Sequence, residues 1–195
     1  MPVDLIEIAS LDQTIALDVR YATSDNFVGR PVYDDARAYL QRPAAEALVR
    51  VNANLASAGL GLLVYDGYRP WSVTKIFWDE TPPEHRIFVA DPETGSRHNR
   101  GCAVDLTLCD RETGRSLPMP SEFDEFSERA YADWDGASPE ETENRARLRA
   151  AMEAEGYTVF RYEWWHFDHR TWPCYPVLDV PFSRIADLAS EDADV

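Results

Sequence analysis

Cys102-Ala103-Val104-Asp105-Leu106-Thr107-Leu108 is the clearest strand in this chain. Cys102, Val104, Leu106 and Leu108 alternate with Ala103, Asp105 and Thr107, and a period of two puts the two sets on opposite faces of a sheet. One face is apolar and belongs to a core. The other carries an acid flanked by small residues, as a strand facing a site should. A carboxylate inside such a strand is costly unless it is paired, hydrogen-bonded or bound to a metal.

Upstream, Ser96-Arg97-His98-Asn99-Arg100-Gly101 is a polar loop. Gly101 allows the chain to bend, so that His98 folds back over the face bearing Asp105. Leu62-Leu63-Val64-Tyr65 is a short buried strand broken by Asp66-Gly67. Pro43 to Ala58 is a helix, with Pro43 in the first turn, Leu48, Val51 and Leu55 at helical spacing, and Gly59 and Gly61 as stops. A second helix follows Pro70 to about Asp79. The opening, Leu5 to Arg20, mixes short β-prone runs with polar residues, and Asp25 to Gly29 is a loop.

Downstream, residues 109–137 read as one long loop, which in a compact domain is often functional. Ser138-Pro139-Glu140-Glu141 is a capping box that opens a helix to about Glu155, with Leu148, Ala151 and Met152 inward and Gly156 as its end. Tyr157 to Phe167 is aromatic and β-prone, the last core strand. Helices and strands alternate irregularly, which predicts an α+β fold rather than a doubly wound sheet. The expected architecture is a single domain with a small antiparallel sheet flanked by helices. Residues 1–182 are assigned to it, and 183–195 to an acidic, flexible tail.

The 195 residues suffice for one domain with its own core. The formal charge of −16 repels phosphate backbones and argues against nucleic-acid binding. No run approaches the ~18–20 apolar residues of a membrane span, and the N-terminus lacks the features of a signal peptide. Three cysteines without tight spacing make no disulfide framework and no thiolate metal site. They predict reduced thiols and a cytoplasmic chain. Oligomeric state is not legible.

Four histidines stand at 85, 98, 166 and 169. Any one beside tryptophan is more often a packed core residue than a ligand. His85, after Pro82-Pro83-Glu84, reads as a loop residue, and His169 as a surface or supporting one. Glu163-Trp164-Trp165-His166 is different in combination. Residues three apart lie on opposite faces of a regular strand, so Glu163 and His166 meet at one site only at a strand end, a bulge or a tight turn. There, His166 completes with His98 and Asp105 a set of two histidines and one carboxylate. Such a set leaves an open coordination position, the catalytic type of zinc site, with Glu163 placed as general base. Arg69, between a strand and Pro70, is extended off the strand end, either as a surface ion pair or as an electrophile for a developing oxyanion.

Five blocks in order resemble the D-alanyl-D-alanine dipeptidases of the VanX type: Arg20 to Gly29, Asp66 to Pro70, Ser96 to Leu108, Phe123-Asp124-Glu125-Phe126, and Glu163 to Phe167. The resemblance implies the fold shared by zinc D-Ala-D-Ala peptidases and the hedgehog signalling domain. It implies one zinc ion per chain on His98, Asp105 and His166, Glu163 as base, and Arg69 as the group steadying the tetrahedral intermediate. It implies an acid near the substrate's ammonium at Asp124, and pocket positions at Tyr21 and Ser96. The implied activity is hydrolysis of D-alanyl-D-alanine or a similar small dipeptide, in cell-wall peptide turnover or glycopeptide resistance. The alternatives are a D-Ala-D-Ala carboxypeptidase or wall endopeptidase of the same fold, and a non-catalytic zinc module. One departure stands out: Met119-Pro120-Ser121-Glu122 occupies the place where the family has Met-Gly-Thr before Phe-Asp.

Overall fold

The computed structural model describes residues 2–185. Along the chain come β1 (Leu5–Glu7), α1 (Ile8–Leu11), β2 (Ala16–Leu17), β3 (Tyr39–Gln41) and α2 (Arg42–Leu55). They are followed by β4 (Leu60–Asp66), α3 (Trp71–Glu80), β5 (Ala103–Asp110), α4 (Pro139–Ala154), β6 (Tyr157–Phe160) and β7 (Glu163–His169).

The main sheet has the strand order β2-β4-β5-β7-β6, and β1 pairs with β3 in a separate two-stranded ladder. The architecture is α+β, as expected, with one amendment. Every neighbour pair of the main sheet is antiparallel except β2 with β4, which is parallel. Between those two strands the chain runs through β3 and α2, the long crossover that parallel pairing requires.

β5 is the middle strand, and Ala103 through Cys109 are all buried. The acid-bearing face is therefore covered as thoroughly as the apolar one. Val104, Leu106 and Leu108 enter the main core with Leu48 and Val51 of α2 and Leu148 and Met152 of α4. α4 starts at the expected capping box: Ser138 Oγ accepts from the Glu141 amide at 3.2 Å, and Glu141 Oε2 accepts from the Ser138 amide at 2.8 Å. Its buried positions are Asn144, Leu148 and Met152, while Ala151 is only partly covered.

The segment expected as one last strand is a hairpin. The chain turns at Arg161-Tyr162, and the β6–β7 register slips between Val159 and Phe160. Neither turn residue is Gly, Pro, Asn or Asp, so no local signal announces it. Of the 109–137 segment, β5 claims the first two residues, Cys109 bridges to Ser116, and Glu128–Ala130 form a 3-10 turn. Phe182, the last residue of the expected domain, packs into the core; of the expected tail, 183–184 continue its 3-10 turn, Ile185 also packs into the core, and 186–195 lie outside the described residues. Among the described residues no helix is long and apolar enough to cross a membrane.

Candidate functional site

Asp105 and His166 are direct partners across the β5–β7 ladder. His166 Nδ1 lies 3.0 Å from Asp105 Oδ1. His98 arrives from a 3-10 turn, His98–Arg100, that Gly101 closes at φ +68. A Cβ on Gly101 would stand 2.6 Å from the Leu5 side chain, so the bend needs glycine for space as well as for backbone freedom. His98 Nδ1 donates to the Gly67 carbonyl at 2.7 Å. Its Nε2 thereby faces inward, 3.1 Å from His166 Nδ1 and 3.3 Å from Asp105 Oδ2.

These three side chains form a cluster that could hold a metal ion. A tetrahedral ion with bonds of about 2.0–2.2 Å to nitrogen and oxygen needs donors roughly 3.3 Å apart. The two nitrogens stand 3.1 Å apart, close to that edge, each lies within 3.3 Å of a different Asp105 oxygen, and the donor chemistry fits a borderline-soft divalent ion. Burial alone would raise the Asp105 pKa; His98 and His166 outweigh it and hold the carboxylate well below its usual range.

Glu163 is the first residue of β7, directly after the hairpin turn. The strand end and the register slip there supply the geometry that lets residues three apart share a site. Glu163 Oε2 sits 3.7 Å from His166 Nδ1. Burial pushes its pKa up to about 8, against the opposing pull of His166.

Arg69 does not reach into solvent. It is buried, and both Nε and Nη2 donate to Asp66 Oδ2, at 2.9 and 2.7 Å. Its guanidinium lies over the rings of Phe77 and Tyr21, with Nη2 3.6 Å from Asp105 Oδ2. Asp66 also accepts from Tyr33 Oη at 2.8 Å and from the Gly67 amide at 2.9 Å. Sequence reasoning missed Asp66 as a working residue; an acid closing a buried strand was the available signal.

Asp124 has φ +62, a left-handed conformation that a non-glycine residue seldom adopts. Its Oδ1 accepts from Tyr21 Oη at 3.0 Å, while Oδ2 is buried without a hydrogen-bond partner. Burial, then the charge of Asp105, pushes its pKa up to about 8. The divergent Ser121 pins this loop by accepting from the Trp164 indole at 2.9 Å. Ser96 Oγ accepts from the His98 amide at 3.2 Å and so helps shape the turn that carries His98.

A cavity of about 330 Å³ joins these groups. Arg69, Ser96, His98, Asp105, Asp124, Glu163 and His166 line it, with Tyr21, Phe27, Phe126, Phe160 and Trp165 among the aromatic walls. His85 stays outside that lining, its ring 5.7 Å from Phe126. His169 is buried, not on the surface: its Nδ1 meets Thr171 Oγ1 at 2.8 Å and its ring packs on Tyr157. Two further residues went unnoticed in the sequence. His166 Nε2 faces Asp168 Oδ1 at 3.0 Å, and Arg97 Nη1 faces Asp168 Oδ2 at 3.1 Å.

A ligand cluster with one side open, a carboxylate beside it and a small pocket around both is the equipment of a metal-assisted hydrolase. The model of the D-Ala-D-Ala dipeptidase family of peptidases matches residues 1–185, and this chain belongs to that family. The D-alanyl-D-alanine dipeptidase of Escherichia coli strain K12 is 36% identical over 180 residues, covering 92% of each chain. That of Enterococcus faecium is 38% identical over 180 residues, 82% of this chain and 87% of its own. That of Enterococcus faecalis strain V583 is 34% identical over 186 residues, 85% of this chain and 87% of its own. By family the chain is an enzyme, a dipeptidase among the peptidase hydrolases, as its motifs imply.

Proposed function

We propose that this chain hydrolyses D-alanyl-D-alanine or a closely related small dipeptide, with one zinc ion held by His98, Asp105 and His166. The observation that carries this reading is the convergence beside Glu163 of three side chains, with His98 Nε2 3.1 Å from His166 Nδ1 and each nitrogen within 3.3 Å of a different Asp105 oxygen. Zinc bound there would polarise the scissile carbonyl and lower the pKa of a water from ~15.7 toward ~7.

The side chains do the rest. Glu163 takes the proton of the attacking water and hands it to the leaving amine. Arg69, braced by Asp66, offers its cation to the developing oxyanion. The unpartnered Oδ2 of Asp124 receives the ammonium of the substrate, and Tyr21 orients that carboxylate. Ser96 lines the pocket near His98. A cavity of about 330 Å³ walled by aromatic rings suits a dipeptide. The buried free thiols of Cys102 and Cys109 support a cytoplasmic setting, where peptides of this size are met unlinked to a wall.

Glu163→Gln is the direct test. Turnover of D-Ala-D-Ala should fall roughly 10²- to 10⁴-fold, the usual worth of a positioned acid–base group, while zinc content is retained. Full activity in the variant, or a native enzyme indifferent to chelators, overturns the assignment. So does faster cleavage of matched tripeptides than of the dipeptide.

A further inference from the structure

We propose that Asp168 is a positioning residue of this site, holding the His166 imidazole so that its Nδ1 lone pair faces His98 and Asp105. The inference rests on the metal-site reading above and deepens it.

A neutral imidazole carries one proton, on either nitrogen. His166 Nδ1 faces Asp105 Oδ1 at 3.0 Å and His98 Nε2 at 3.1 Å, so a metal bound there needs that nitrogen bare. The proton must then sit on Nε2, where Asp168 Oδ1 waits at 3.0 Å. An ionised carboxylate can only accept, so it selects this tautomer and orients the ring. His98 is arranged the same way by a different group, its Nδ1–H given to the Gly67 carbonyl. Both imidazoles therefore have an acceptor behind them and a bare nitrogen in front. A carboxylate raises the basicity of its histidine.

Asp168 is itself well fixed. It lies two residues beyond His166 on the same face of β7, an interior strand, paired with Ala103 on one side and Thr158 on the other. Its second oxygen meets Arg97 Nη1 at 3.1 Å, and the Arg97 guanidinium stacks over Trp172 at 4.7 Å. Arg97 directly precedes His98. The Arg97–Asp168 pair thus ties the loop bearing one histidine to the strand bearing the other.

The test is zinc affinity of the metal-stripped chain, measured by competition with a chromophoric chelator. The native chain is compared with Asp168→Asn, Arg97→Gln and His166→Ala, and the metal-free melting temperature is recorded for each. Asp168→Asn should bind zinc roughly 10- to 100-fold more weakly, the usual cost of removing such a partner. Arg97→Gln should show a smaller loss, and the metal-free melting temperature of both should stay close to native. The cobalt-substituted absorption spectrum should shift in Asp168→Asn, which a merely structural role would not produce. Native affinity in Asp168→Asn, with binding lost in His166→Ala, overturns the positioning role and leaves the metal site standing. Native affinity in His166→Ala sinks the metal-site reading and this inference with it. If Asp168→Asn does not fold, Arg97→Gln decides: unchanged affinity and an unchanged cobalt spectrum there overturn the proposal.

Discussion

At the corner between β4 and α3, Asp66 accepts four hydrogen bonds: two from Arg69, one from Tyr33 and one from the Gly67 amide. In the loop after Pro120, Asp124 accepts one, from Tyr21, and its other oxygen is buried with none. The first acid sits where the backbone leaves no room: a Cβ on Gly67 would stand 2.7 Å from the Tyr39 carbonyl. The second sits on a left-handed backbone. A saturated carboxylate holds another side chain in place, whereas one with a vacant oxygen can bind something that arrives. Asp66 is thus part of the frame, and Asp124 is a candidate for substrate contact.

Removing Asp66 should do the greater damage. Asp66→Ala strips the buried Arg69 cation of both hydrogen bonds to its carboxylate and leaves it only the 3.6 Å contact to Asp105, a loss of about 3–5 kcal/mol of folding stability. Urea denaturation checks this, and a loss below ~1 kcal/mol would erase the distinction between the two acids. Asp124→Asn keeps an uncharged side chain at that position and should not lower stability near neutral pH. A hydrogen bond to a charged group is worth about 1.5–3 kcal/mol, so kcat/KM for the free dipeptide should fall roughly 10- to 100-fold, mainly through KM. An N-acetylated dipeptide, lacking the ammonium, should not discriminate native from variant; if it does, Asp124 is not reading that group.

A third contrast lies in pH dependence. The Asp124 pKa rises from 3.8 to about 8 on folding, first through burial and then through Asp105. Between those values the metal-free folded chain holds a proton that the unfolded chain has released. Its stabilising contribution is therefore complete below about 3.8 and lost as pH climbs to about 8. Melting temperatures of metal-free native and Asp124→Asn chains, compared across that window, should show a steeper decline for the native chain. Parallel curves would mean that Asp124 is solvated after all.

The sequence made much of this legible. The alternation of residues 102–108 located the central strand, and the capping box at Ser138 located α4, because both signals are local. His98, Asp105, His166 and Glu163 stood out because acids and histidines within or beside apolar strands need a reason to be there. The parallel pairing of β2 did not stand out, since two residues carry no periodicity. Nor did the turn at Arg161-Tyr162, which lacks any residue that favours turns. Asp66 and Asp168 were visible as acids, but their partners are set by contacts across strands and corners.

Residue types and local spacing settled which elements form and which side chains are chemically equipped, because propensity and periodicity act over a few neighbouring positions. Pairing register and packing settled the remainder. Aligning Asp105 with His166 across β5 and β7 and folding His98 over both brings donors 61 and 68 positions apart to within 3.0 and 3.1 Å. No local rule reaches that far along the chain; the burial of both faces of the sheet does.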